Sequence, residues 1–96
     1  MRPSPEEIEA RILAALAERP GRTVGPTDVA RALGGGHPDG WGPLMPLVRR
    51  AAVKLMKQGR IVILRKGRPV DPDDFKGVYR LALPDAGPLS LSNGRG

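Results

Sequence analysis

Seven cationic side chains, Arg49, Arg50, Lys54, Lys57, Arg65, Lys66 and Arg68, gather in the C-terminal half of this chain, and no acidic residue stands between Trp41 and Val70 to answer them. Long cationic side chains one and two helical turns apart can straddle the phosphate edge of a nucleic-acid groove, and a glycine such as Gly67 lets a cationic loop approach a polyanion closely. From Trp41 to Leu81 ten basic residues face three acids, 10 − 3 = +7, whereas the first forty residues hold five basic and six acidic ones. The attraction for a polyanion therefore belongs to the C-terminal half. The plainer reading of such residues is a solvated surface, since any exposed helix wears lysine and arginine. Arg31, upstream of the cluster, reads equally as a phosphate contact and as a solvated arginine.

Other chemistry is poorly supported. Asp71, Asp73 and Asp74 resemble half of a calcium loop, but the glycine and terminal glutamate of that motif are missing. Aspartates so placed in a turn more often cap backbone N–H groups and neutralise nearby arginines. His37 is the only histidine and there is no cysteine, so neither an ordinary metal site nor a nucleophilic dyad can be assembled. Trp41, the only tryptophan, stands just before an apolar helix and reads as its anchor more readily than as a base-stacking platform. Catalysis needs paired titratable groups in a pocket, and the one acid cluster lies in a turn-rich segment. The expectation is a protein that is not an enzyme, with no catalytic residue, cofactor or metal. Cysteine-free composition suits a reducing cytosol. No apolar run follows the first charge at the N-terminus, and none approaches the roughly 18 residues of a membrane span, so a cytoplasmic, unprocessed chain with no membrane contact is expected.

The elements that must position these groups follow from periodicity. Ser4-Pro5-Glu6-Glu7 is a capping box with proline at the first helical position, and Ile8, Ile12, Leu13 and Leu16 recur on one face until Arg19-Pro20-Gly21. A second, brief helix begins at Gly25-Pro26-Thr27-Asp28, carries Val29, Ala30 and Leu33, and stops at Gly34-Gly35-Gly36, opening a loop through Gly40. The third helix begins between Pro43 and Pro46 and ends at Gln58-Gly59. Leu44, Leu47, Val48, Ala51, Ala52 and Leu55 fall on one side, with Arg49, Arg50, Val53, Lys54 and Lys57 on the other. Residues 60–65 and 78–83 then read as two antiparallel strands. The twelve residues Lys66–Gly77 between them are too long for a tight hairpin and are expected to project as a flap. Ile12, Leu16, Val29, Leu33, Leu47, Val48, Ala51, Leu55, Ile61, Ile63, Leu81 and Leu83 should share one core. Residues 1–83 form a single domain, and 84–96, rich in glycine, proline and serine, read as a disordered tail.

This order predicts an α+β winged helix-turn-helix: three helices, then a two-stranded antiparallel wing, with room for a short third strand at 22–24. The segments Thr27-Asp28-Val29-Ala30-Arg31-Ala32-Leu33, Trp41-Gly42-Pro43-Leu44-Met45-Pro46-Leu47-Val48-Arg49, Gly59-Arg60-Ile61, Gly67-Arg68-Pro69-Val70-Asp71-Pro72 and Gly77-Val78-Tyr79-Arg80-Leu81 resemble a family of small bacterial proteins known only as a domain of unknown function. The resemblance covers roughly residues 5 to 83 and implies a winged-helix fold but no activity. Function is left to the residues. They point first to duplex DNA, gripped at its phosphates by Arg49, Arg50, Lys54 and Lys57 of the third helix and Arg65, Lys66 and Arg68 of the wing, in a small regulator or chromosome-associated protein. An acidic protein partner is the alternative. RNA ranks lower, because Trp41, Phe75 and Tyr79 are the only aromatics and are mostly core candidates.

Overall fold

Ser4 opens the first helix in the way its sequence predicts. Its hydroxyl accepts the Glu7 backbone N–H at 3.2 Å, and the Glu7 carboxylate accepts the Ser4 N–H at 3.2 Å, so two of the donors that a helix start leaves open are satisfied reciprocally. The computed structural model, which describes residues 3–19 and 21–84, continues from this cap as helix α1 (Pro5–Glu18) and helix α2 (Pro26–Gly34). A single helical turn α3 (Pro38–Trp41), a 3-10 turn over Gly42–Leu44 and helix α4 (Met45–Lys57) come next. Strands β1 (Val62–Arg65), β2 (Arg68–Pro69) and β3 (Arg80–Ala82) form an antiparallel sheet in the order β2-β1-β3. Three long helices followed by a small antiparallel sheet is the expected α+β architecture, in a layout compatible with a winged helix. The short strand expected at 22–24 reduces to one residue: Val24 and Leu81 exchange N–H···O bonds of 2.8 Å.

One core joins these elements. Ile8, Ile12 and Leu16 of α1 meet Val29 and Ala30 of α2, Val48, Ala51, Ala52 and Leu55 of α4, and Ile61, Ile63 and Leu81 around the sheet. Of the residues expected there, Leu33, Leu47 and Leu83 are only half-buried. For Leu47 the reason is angular: at about 100° per residue it lies about 90° from the middle of the arc formed by Val48, Ala51, Ala52 and Leu55, at the helix margin. The tail expected at 84–96 lies, beyond Pro84, outside the described residues.

Two connections differ from expectation. Residues 38–41 are helical, because Pro38 supplies a first-turn position and the His37 Nδ1 accepts the Asp39 N–H at 3.2 Å, a side-chain cap that gives the lone histidine a local role. This turn lies so close to the end of α2 that a Cβ on either Gly34 or Gly40 would collide with the carbonyl oxygen of the other. Gly34 is therefore a packing requirement as well as part of a helix stop, whereas Gly35 and Gly36 border open space.

The larger difference concerns the flap. Lys66 and Gly67 both adopt positive φ, 53° and 79°, the pairing that closes a two-residue hairpin with the twist of its strands, and Arg65 faces Arg68 across it. The chain then folds back. Val70 N–H bonds the Ile63 carbonyl at 3.0 Å, Asp73 reaches Lys57, and Phe75 reaches Arg49. Residues 70–79 are thus a strap along one flank of α4. Burial of two aromatics holds it down: Phe75 and Tyr79 are buried and meet edge to face, with centroids 5.3 Å apart and planes at 76°. The second wing strand is correspondingly shorter than residues 78–83, since Val78 and Tyr79 belong to the strap.

Candidate nucleic-acid interface

Helix α4 has one buried arc, and the strap and α1 flank it on either side, so each cation on it meets a different neighbour. Opposite the core lie Pro46, Arg50, Val53 and Lys57; Arg49 sits toward the strap and Lys54 toward α1. Arg49, expected on the open cationic face, is turned inward. Its Nη2 donates to the Phe75 carbonyl oxygen at 2.5 Å, and its guanidinium lies 3.9 Å from the Phe75 ring centre. Burial raises the pKa of the neighbouring Tyr79 phenol above its ordinary value, an effect that the Arg49 charge partly opposes.

The stripe is also less free of acids than its sequence neighbourhood suggests. Lys54 Nζ lies 3.1 Å from Glu9 Oε2, which α1 delivers, and Lys57 Nζ lies 2.6 Å from Asp73 Oδ1, which the strap delivers. Sequence reasoning missed both acids as parts of this surface. Glu9 is one residue of a solvated-looking helix 45 positions away, and nothing local marks it, while Asp73 is an obvious turn former whose destination depends on where the strap lies. Arg50 is exposed and has no ion-pair partner among the described residues.

On the wing the cations divide again. Arg65 is half-buried, donates from Nε to the Val78 carbonyl oxygen at 3.2 Å and lies over Gly77, so it clips the hairpin to the strap. Lys66 and Arg68 occupy the hairpin tip and are exposed, without acidic partners among the described residues. Arg60 and Lys76, not singled out from the sequence, are in the same condition. The seven expected contacts thus sort into Arg50, Lys66 and Arg68, which are open; Lys54 and Lys57, which are about half exposed at 54% and 51% but paired; and Arg49 and Arg65, which hold the strap.

The remaining sequence candidates are structural. Asp71 Oδ1 accepts the Asp73 N–H at 2.9 Å and the Asp71 carbonyl accepts the Asp74 N–H at 3.0 Å, so the aspartates cap a turn, with Lys57 rather than an arginine as their cation. Trp41 is half-buried against the core with the Arg31 guanidinium 5.2 Å from its ring centre. Among the described residues no three histidine, aspartate or glutamate side chains gather where they could share a metal ion, and no helix is long and apolar enough to cross a membrane. A shallow apolar groove of about 170 Å³ runs between the start of α1 and α4, floored by Ile8, Leu47 and Ala51 and edged by Arg50 and Lys54.

The inward turn of Arg49 has a measurable consequence. Arg49→Ala removes a hydrogen bond from a charged donor and a cation–π contact, and should lower the unfolding free energy by about 1–3 kcal/mol in urea titrations. Arg50→Ala, at an exposed position on the same helix, should stay within about 0.5 kcal/mol of the parent. Equal stability of the two variants would return Arg49 to the open surface.

Residues 5–84, which span every element from α1 to β3, match the family model described as "Protein of unknown function (DUF3253)". No curated protein matches the chain.

Proposed function

The chain belongs to that protein family of unknown function (DUF3253), which lends it no activity, and from the geometry we propose that it is a small DNA-binding module that grips duplex phosphates with the tip of its hairpin and the Arg50 side of α4. One observation carries this reading: Arg50, Arg60, Lys66, Arg68 and Lys76 are exposed cations on α4, the turn that follows it, the hairpin and the strap that no acid partners among the described residues. Unpaired lysine and arginine at a surface are what phosphate binding by counterion release requires. The outer face of α4 offers Pro46 and Val53 between Arg50 and Lys57, which gives it few groups able to read the donor and acceptor pattern of base edges. Binding is therefore tolerant of sequence, as suits a chromosome-associated protein or a weakly specific regulator, and it involves no chemical step. The absence of cysteine fits a role in the reducing cytosol.

The deciding experiment is titration with a mixed-sequence DNA duplex at several salt concentrations. A log–log slope of several units is expected, and no binding at low salt would overturn the reading. A second reading, contact with an acidic protein segment, is favoured by the apolar groove beside Arg50 and Lys54. That groove becomes the leading surface if duplex DNA fails to bind.

A further inference from the structure

The cation nearest the middle of the outer face of α4 is Lys57, and it is already occupied. Its Nζ lies 2.6 Å from Asp73 Oδ1, the distance and acceptor type that a phosphate oxygen would offer, and the two side chains are 51% and 68% exposed. Asp73 is not held there by Lys57 alone. Its backbone N–H is fixed to Asp71 Oδ1 at 2.9 Å, and the strap is pinned on one side by the Val70 bond to Ile63 and on the other by Phe75, buried beneath Arg49. The backbone that carries this carboxylate is thus held beside α4 by a fixed turn.

Phosphate and carboxylate compete for the same ammonium, and a phosphate brought to Lys57 also meets a like charge within a few ångströms. An exposed ion pair contributes little to stability, so it can be exchanged, but the exchange releases no additional counterion to the solution. The Lys54–Glu9 pair differs, because Glu9 is only 13% exposed on α1 and its removal would disturb the contact between two helices.

We propose that Asp73 is an affinity-limiting residue for polyanions: it stands in for a phosphate at Lys57, keeps that lysine out of the grip, and leaves Arg50 and the hairpin tip to carry it. This inference rests on the DNA reading above and adds to it a residue that weakens binding by design of the strap.

The test compares the parent, Asp73→Asn, Lys57→Ala and the double variant on one mixed-sequence duplex across a salt series, with melting temperature as a check on folding. Asp73→Asn frees Lys57, so affinity should rise several-fold at low salt and the log–log slope should steepen by about 0.9, one added phosphate contact. Lys57→Ala alone should leave the parent slope nearly unchanged, and in its background Asp73→Asn should no longer steepen it. Asp73→Ser, which keeps a small polar turn residue, should reproduce the steepening. An unchanged slope in Asp73→Asn and Asp73→Ser overturns the proposal, as does an equal gain with and without Lys57, which would make the effect one of diffuse charge. Duplex binding without the gain removes this inference only, whereas no duplex binding by any of the five proteins removes the DNA reading and this inference with it.

Discussion

Leu55→Ala is expected to lower the unfolding free energy by about 2–5 kcal/mol, the range for emptying a fully buried leucine site. Leu55 has no exposed surface and sits on the buried arc of α4 with Val48, Ala51 and Ala52, in the core that also receives Ile12 and Leu16 of α1 and Ile61 and Ile63 beside the sheet. Removing its three outer carbons leaves a cavity among side chains that are themselves fixed, so little collapse can refill it. A domain of this size holds about 5–15 kcal/mol in total, and the loss is a large share of it. Leu47→Ala gives the internal comparison. Both leucines are expected in the core from the sequence, but Leu47 lies at the margin of the buried arc, half-buried on the floor of the groove beside α1, and its truncation should cost less than half as much. Urea titrations with parallel slopes measure both. Equal costs, or a Leu55 cost below about 1 kcal/mol, would contradict the packing of α4 described above.

Lys66→Ala combined with Arg68→Ala should have the largest effect on binding. Both side chains are exposed at the tip of the hairpin, and neither has an acidic partner among the described residues, so both are available for phosphate without breaking an internal contact. If each meets one phosphate, the log–log slope falls by about 1.8 and affinity drops roughly sixtyfold at 0.1 M salt. The turn should persist, since Gly67 remains in place and alanine faces the same penalty as lysine at the positive φ of position 66. The matched control is Arg19→Ala with Arg22→Ala, two exposed arginines near the end of α1, which removes the same formal charge. Arg11 would be a poorer control because it is bound to Glu18 at 3.1 Å. Equal losses in the two double variants would mean attraction by net charge alone, with no defined gripping surface.

How much was legible depends on how local each determinant is. The helix starts at Ser4 and Gly25-Pro26, the core stripe of α4 and the branched strand after Gly59 were all readable, because capping and side-chain periodicity act over a few residues. The two-residue hairpin had a readable signal too, a glycine second in the pair Lys66-Gly67 with cations on both sides. It was obscured because the next alternating run begins only at Val78, and Arg68-Pro69 is too short to stand out as a strand. The strap had almost none: Phe75 and Tyr79 are isolated aromatics in a stretch of proline, aspartate and glycine, and only the open side of α4 makes their burial favourable.

The sequence by itself determined the architecture and the sign of the surface: three helices, a small antiparallel sheet, one apolar core, and a charge of +7 between Trp41 and Leu81. Tertiary structure decided which of those charges are available. Glu9 and Asp73 reach Lys54 and Lys57 from outside the stripe, Arg49 and Arg65 turn to the carbonyls of the strap, and Arg50, Lys66 and Arg68 stay open. Backbone conformation and amphipathic pattern are set by neighbours along the chain, whereas the partner of a long, flexible cation is set by whatever acid or carbonyl the fold brings within about 4 Å of it, and that distance is independent of separation in sequence.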